Sequence, residues 1–339
     1  MICSFQSCNT DELIITYTPQ LSLRTVGEYK SIDTITIEGK QYQLYNPYKF
    51  AGKYELKGNM HIHSDNSAPI DGFGSGKINS IAKKYKNEGA YDFYAITDHN
   101  YITENPNIEG IICMGNSMEY TLFDKTEHHL IIYNLPEYYN YNYIGSDINE
   151  AIKYFHSIGA LVSYAHPDWS KQYQTSEKIL SVENIDFVEI FNGIEGGSER
   201  AYNILLRNNV TFALGVDDYH YNAIDENSYF DKSYICVFSD VKEREAIWTS
   251  ILNGAMYAST GARMNISVND SNIELSTNIP STFQVFECNS NSDNAVCIKS
   301  LKNKKSITYT PEQSQNKFWF KISNKNGEAI SQPFYINPI

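Results

Sequence analysis

The chain is predicted to be an α/β protein, with parallel strand and helix units forming a β/α barrel between a β-rich N-terminal segment and a smaller C-terminal β domain. Three observations carry that expectation. From Tyr54 to about Leu252, stretches of strand character alternate with ten-residue stretches of helical apolar spacing. The flanks lack the helical period and read as short strands punctuated by Gly and Asn turns. The 339 residues exceed one modal domain but suit a barrel with an attachment. The boundaries that follow are 1–52 for the N-terminal segment, 53–263 for the barrel and 264–339 for the C-terminal β domain.

Within the first segment, residues 13–17 read as a strand, and 34–37 and 42–45 as a hairpin around Glu38-Gly39. Asn46-Pro47 breaks the pattern. Residues 77–88 place Ile78, Ile81, Ala82 and Tyr85 on one helical face and stop at Gly89, a suitable left-handed cap. Residues 91–97 and 111–119 follow as strands, and 130–133 as another. Helix 147–157 stops at Gly159; strands 160–164 and 186–191, helix 198–208, strands 211–215 and 233–238, and helix 242–252 complete the series. Residues 264–339 are strand-rich and turn-punctuated, with Asn324-Lys325-Asn326-Gly327 as turn residues within 318–336.

Composition narrows the function classes. Hydrophobic residues at 42% and charged residues at 20% describe a globule with ample core, and no window approaches a membrane span. The N-terminus lacks a basic start followed by an apolar run, so a cytoplasmic protein is expected. A net charge of -13 disfavours a nucleic-acid polymer as partner, because such binders neutralise phosphates with lysine and arginine. The six cysteines (Cys3, Cys8, Cys113, Cys236, Cys288, Cys297) contain no Cys-x-x-Cys pair and read as free thiols, with Cys288 and Cys297 the pair to test for a bridge.

The chemistry-bearing residues sit at strand ends, where barrels of this kind gather their active sites. His61 and His63 share one face of a strand end by the period of two and can grip one cation. Asp98-His99, Glu119, His128-His129, His166-Pro167-Asp168, Glu189 with Asn192, and Asp217-Asp218-Tyr219-His220 mark the other strand ends. Of eight histidines only His156 falls elsewhere, inside a helix, where exposure to solvent is expected. So many imidazoles and carboxylates exceed the four ligands of one structural zinc and suit two or three ions sharing carboxylates. His129 competes with His128, since one of two adjacent strand residues faces the site; Asp217 and Asp98 read as groups that orient neighbouring ligands, and Asp98 also reads as a turn residue.

The series His61-Ile62-His63-Ser64, Ala95-Ile96-Thr97-Asp98-His99-Asn100, Glu119, His129, His166-Pro167 and Asp218-Tyr219-His220 resembles, in order, the motifs of the PHP (polymerase and histidinol phosphatase) family of metal-dependent phosphoesterases. It covers roughly residues 58–220. The resemblance implies a distorted seven-stranded β/α barrel, and Gly254 to Arg263 looks like the segment that closes it in two-domain members, which continue into a small β-sandwich. It also implies that His61, His63 and Asp218 hold one divalent ion (Zn, Mn or Fe), that Glu119 bridges to a second held by His129 and His166, and that His99 and His220 belong to a third. The family's Ser-Asp-Gly is missing here, because Ala68 follows Ser67; Asp65 or Asp71 is left as the substitute ligand.

Ions bridged by a carboxylate lower the pKa of a shared water towards neutrality and take up charge on phosphoryl oxygens. The expected reaction is therefore hydrolysis of a small phosphorylated metabolite, nucleotide or sugar phosphate, with His220 or Asp98 as proton donor to the leaving oxygen. Arg263 and Arg200 are candidates for phosphate oxygens, each with a surface ion pair as its ordinary alternative. Asn192 either contacts substrate or satisfies a loop. The β tail also resembles that of carbaryl-hydrolase-type enzymes, which keeps ester, amide or carbamate hydrolysis open beside a non-catalytic, metal-stabilised binding role.

Overall fold

A computed structural model describes residues 31–67, 76–103, 106, 108–122, 128–136, 147–170, 173–194, 196–220, 229–312 and 315–339. The strand expected at 13–17, and Cys3, Cys8, Ala68 and Asp71, lie outside them. The chain opens with the hairpin β1 (Ile32–Ile37) and β2 (Lys40–Tyr45), turned by Glu38 (φ 50°) and Gly39 (φ 80°), a left-handed pair that suits a two-residue hairpin. Next come β3 (Tyr54–Asn59), α1 (Ile78–Asn87), β4 (Phe93–Tyr94), β5 (Ile112–Cys113), β6 (Ser117–Leu122), β7 (His128–Tyr133), α2 (Ile148–Ser157) and β8 (Leu161–Tyr164). These are followed by α3 (Ser176–Leu180), β9 (Phe187–Asn192), β10 (Gly196–Gly197), α4 (Glu199–Asn208), β11 (Phe212–Val216), β12 (Tyr234–Ser239), α5 (Arg244–Leu252) and β13 (Met256–Ser259). The rest is β: β14 (Asn265–Asn269), β15 (Asn272–Glu287), β16 (Val296–Tyr309), β17 (Lys317–Asn324), β18 (Gly327–Ser331) and β19 (Phe334–Pro338).

The expected β/α barrel does not form. Among the described residues nineteen strands stand against five helices, and the strands make two open sheets rather than one closed ring. One sheet runs β1-β2-β19-β17-β18-β13-β12-β3-β4-β5, with β14, β15 and β16 attached through β17; the other runs β10-β9-β8-β7-β6, with β11 on β9. Part of the reason lies in connection length. A parallel pair needs a crossover of roughly a dozen residues or more; residues 123–127 alone separate β6 from β7, which therefore pair antiparallel. The segment expected as one strand at 111–119 is split by Gly115 (φ 99°), which sends β5 to one sheet and β6 to the other. Likewise β13, expected to close a barrel, pairs with β12 and then with β18, so it leads into the C-terminal strands. The N-terminal hairpin joins the same sheet through β2 and β19.

The helices form near their expected places because their apolar spacing is real. In α2, Ile148, Ala151, Ile152 and Phe155 are buried while Asp147 caps the N-terminus by accepting from the amides of Asn149 and Glu150. The stop of α1 differs slightly from expectation: the left-handed residue is Ala90 (φ 52°) rather than Gly89. The two sheets enclose a common core containing Leu56, Phe93, Met118, Leu130, Val188 and Leu214. Gly58 faces Phe93 across the β3–β4 pair, and a Cβ there would fall 2.0 Å from the ring, so the glycine permits this close approach just before His61 and His63.

Candidate metal centre

The sheets meet at two isolated parallel bridges, Ile62 with Tyr219 and His99 with Glu119, and the candidate ligands lie on or beside them. At the first, the amide of His63 donates to the carbonyl of Tyr219 (2.9 Å), and that of Tyr219 to the carbonyl of His61 (3.3 Å). With Ile62 buried on one side, His61 and His63 turn to the other, and Asp218 and His220 flank them from across the bridge. Asp218 adopts φ 52°, left-handed backbone that aspartate tolerates better than most residues. At the second bridge, the amide of Asn100 (φ 48°) donates to the Glu119 carbonyl at 2.7 Å, setting His99 beside Glu119. His129 pairs with Thr121, which shares its strand face with Glu119, so the His129 ring reaches the same carboxylate from β7. The side chain of His128 lies outside the described set.

Eight side chains converge on this cup. The Nε2 atoms of His61 and His63 are 2.9 Å apart, and Asp218 Oδ1 is 3.3 Å from each. Glu119 Oε2 lies 3.4 Å from His61 Nε2, 3.1 Å from His63 Nε2 and 3.1 Å from His99 Nδ1. Its other oxygen, Oε1, lies 2.7 Å from His129 Nδ1 and 3.3 Å from His166 Nε2. His220 stacks on His63 at 4.2 Å between ring centroids. Three overlapping groups have ligand atoms mutually within 4.8 Å: His61, His63 and Glu119; His99, Glu119 and His129; and His63, His99 and His220.

These contacts suit divalent cations better than hydrogen bonds. Two atoms that each bind one ion at about 2.1 Å lie about 3–4 Å apart, which covers most of the separations above. Moreover, His129 Nδ1 and Asp218 Oδ1 are buried, and their close neighbours Glu119 and the imidazoles of His61 and His63 do not meet them in hydrogen-bond geometry, although a poorly satisfied buried polar atom is costly. Ligand atoms crowded round a shared point without well-formed hydrogen bonds are what a metal site requires.

The surrounding hydrogen bonds fix which nitrogen faces inward. Glu189 Oε1 sits 2.7 Å from His61 Nδ1 and, as a carboxylate, accepts its proton, leaving the Nε2 lone pair for the cup. Its Oε2 accepts from the His166 amide (3.0 Å) and from Asn192 Nδ2 (3.0 Å), which also donates to Asp218 Oδ2 (3.2 Å). On the other side, Ser67 donates to Asp98 Oδ1 at 3.0 Å and so accepts from His63 Nδ1 at 2.8 Å. Glu189→Gln is expected to weaken Mn²⁺ binding about 10- to 100-fold, measured by titration calorimetry, because the amide can rotate to present a donor that disfavours the required tautomer. Unchanged affinity would show that ring packing alone orients His61.

Several expected roles are reassigned. Asp98 accepts from the Ser64 amide and hydroxyl, Ser67 and Thr103, so it anchors the loop and meets the His63 imidazole through Ser67 rather than directly. Asn192 donates to the carboxylates of Glu189 and Asp218 and is 4% exposed, which suits the satisfied-loop alternative better than a substrate contact. Arg263 pairs with Glu55 at the start of β3, the far end from His61, roughly 20 Å away at about 3.3 Å per residue. Arg200 is held by Asp168, Ser176 and the Gln174 carbonyl. Asp65 is exposed and falls in none of the ligand groups. Asp217 accepts from Tyr85 and the amides of Asp231, Lys232 and Ser233, tying down the chain after β11. His156 is not solvent-facing; it contacts Asp186 at 3.0 Å and is 16% exposed. Cys288 and Cys297 are both free thiols.

Two groups beyond the expected ligand set belong to the site: Glu189, whose position at a strand exit was its signal, and Trp169, whose ring lies 5.2 Å from His166 and 6.3 Å from His129. Nothing in the sequence around Trp169 separates it from an ordinary loop aromatic.

The electrostatics follow from crowding. Burial alone would lower the His61 pKa, but Asp218, Glu189 and Glu119 outweigh it and hold the imidazole well above its ordinary value. The same balance of burial against Asp218 and Glu119 raises His63 to about 9 and raises His166. Burial would raise Glu119 and Asp218, yet neighbouring imidazoles (His99, His129 and His61; His61, His63 and His220) hold both well below the carboxylate range. Carboxylates held ionised among buried imidazoles are compatible with divalent cations.

The fold and site thus define a protein with a buried histidine and carboxylate cluster capable of holding divalent metal. No protein-family model and no curated protein matches the chain. A solved structure from Bacteroides vulgatus, described as a two-domain protein containing a predicted PHP-like metal-dependent phosphoesterase, is similar at 13% identity and a TM-score of 0.46, over 93% of this chain and 100% of that one. Among the described residues no helix is long and apolar enough to cross a membrane.

Proposed function

We propose that the chain is a metal-dependent hydrolase acting on a phosphoester of a small molecule. The observation that carries this reading is the placement of Glu119 between two imidazole sets, one oxygen towards His61, His63 and His99 and the other towards His129 and His166. Bound there, two or three ions of the Zn, Mn or Fe type supply an activated water and neutralise charge on the phosphoryl oxygens. His61, His63 and Asp218 would hold the first, His129 and His166 the second, with Glu119 shared; His99 and His220 would complete a third. His220 is 12% exposed, and its Nδ1 lies 2.9 Å from the Asp218 carbonyl. Donation there leaves Nε2 to ligate or to move a proton at the leaving oxygen. Since Arg200 and Arg263 are engaged elsewhere, substrate charge would be met by the ions, which favours a compact phosphate over an extended polyanion.

The test is protein purified without chelator, assayed for metal by elemental analysis and for turnover of an aryl phosphate beside an aryl carbamate. Two or three ions per chain with preferential phosphate turnover is the expected result. Preferential carbamate turnover would move the reading to carbonyl hydrolysis. A metal content near zero, with no activity after Mn²⁺ addition, would sink it.

A further inference from the structure

The C-terminal strands reach the metal centre through one helix. Residues Arg200, Asn203 and Arg207 recur at three- and four-residue spacing, so they line one face of α4. The amide of Asn203 is fully buried and donates to the carbonyls of Asn289 (3.3 Å), Ser292 (2.8 Å) and Asp293 (3.0 Å), while its oxygen accepts from the Asn289 amide (2.9 Å). Thus the turn between β15 and β16 is wound around a side chain of α4. Arg207 adds a bond to the Asn289 carbonyl (3.1 Å).

From that turn a polar chain runs to Asp168, which is joined to the site by the backbone. Ser176, opening α3, donates to Asp293 Oδ2 and accepts from Arg200 (3.0 Å). Arg200 Nε donates to Asp168 Oδ1 (2.9 Å), and a second guanidinium nitrogen grips the same oxygen. Arg200 also donates to the Gln174 carbonyl (2.8 Å) and lies over the Tyr173 ring (4.5 Å). Asp168 is two residues from His166, and the next residue, Trp169, packs against His166 and His129. Every polar group in this chain has its hydrogen-bonding direction fixed by its neighbours, so a change at one end alters the geometry available at the other.

We propose that the β15–β16 turn positions the His129 and His166 pair through Asp293, Ser176, Arg200 and Asp168, making the C-terminal β region part of the metal centre's framework. This rests on the reading of the cup as a metal site. Asp293, 41% exposed and outside the cup, and Arg200 are positioning residues. Mn²⁺ is titrated calorimetrically into the metal-free full chain, the step belonging to His129 and His166 being the one lost in His129→Ala. Asp293→Ala is expected to weaken that step three- to tenfold and leave the other within twofold. Arg200→Gln should weaken it at least as much, and the double variant should lose less than the product of the two. Asp293→Asn, which keeps an acceptor for Ser176, should restore most of the affinity.

If Asp293→Ala only lowers the melting temperature and leaves both Mn²⁺ steps unchanged, the turn is merely structural and the proposal falls. It falls equally if the single effects multiply independently. Should the unaltered chain bind no Mn²⁺, the metal reading itself fails, and that outcome is separate from the first two.

Discussion

Glu119→Gln is expected to abolish aryl phosphate turnover and to weaken Mn²⁺ binding by more than about 100-fold, beyond the range typical of groups that only orient a ligand. The substitution changes almost no volume, so the loss reports charge and lone pairs. Glu119 is 1% exposed and its two oxygens are divided between five imidazoles. An amide in its place offers one acceptor and one donor, so one of the two imidazole sets must face an N–H instead of an oxygen. Repulsion of a cation at that locus is unavoidable whichever way the amide turns. The control is Glu109→Gln, an exposed carboxylate on the surface, which should leave both readouts unaltered. Circular dichroism and a melt in EDTA would establish that Glu119→Gln still folds. If this folded variant keeps Mn²⁺ affinity within tenfold, Glu119 does not join the two loci, and the proposed chemistry loses its central group.

Local patterns told more than global ones. His61 and His63 could be set on one face because strand period is a property of the backbone itself. The same holds for the apolar faces of α1, α2 and α4, which form within two residues of their expected bounds. Closure into a barrel is different: it depends on whether each strand pairs parallel or antiparallel with a distant neighbour, and alternation of strand and helix constrains that only through connection length. The ten residues between the strands expected at 111–119 and 130–133 were already too few for a crossover, and that could have been read in advance. The path of β13 into the C-terminal sheet could not, because no feature of Met256 to Ser259 names its partner. Arg200 shows the complementary limit. A lone arginine near a glycine pair has the chemistry of a phosphate ligand, and only the fold reveals that Asp168 and Ser176 already engage it.

Metal binding should release protons, and the metal-free protein should lose stability as the solution is made alkaline. Without ions Asp218, Glu119 and Glu189 outweigh burial and raise the pKa of the His61, His63 and His166 imidazoles above the ordinary 6.5. A raised imidazole contributes stability that is full below 6.5 and disappears as pH passes the folded value, about 9 for His63. Glu119 and Asp218 act in the opposite sense, contributing above their ordinary 4.5 and 3.8 and failing only as pH falls well below these. The EDTA-treated chain is therefore expected to melt highest between about pH 5 and 6.5 and progressively lower towards pH 9. Bound ions require neutral imidazoles, so Mn²⁺ displaces protons from this set, at most one of them from between the Nε2 atoms of His61 and His63, which lie 2.9 Å apart. The melting-temperature gain from Mn²⁺ should accordingly widen from pH 6 to pH 9. Calorimetric titration at pH 7 in two buffers of different ionisation enthalpy measures the protons directly. Equal apparent enthalpies in both would mean that the imidazoles are already neutral in the empty cup, and the charge balance argued from Glu119, Asp218 and Glu189 would be wrong.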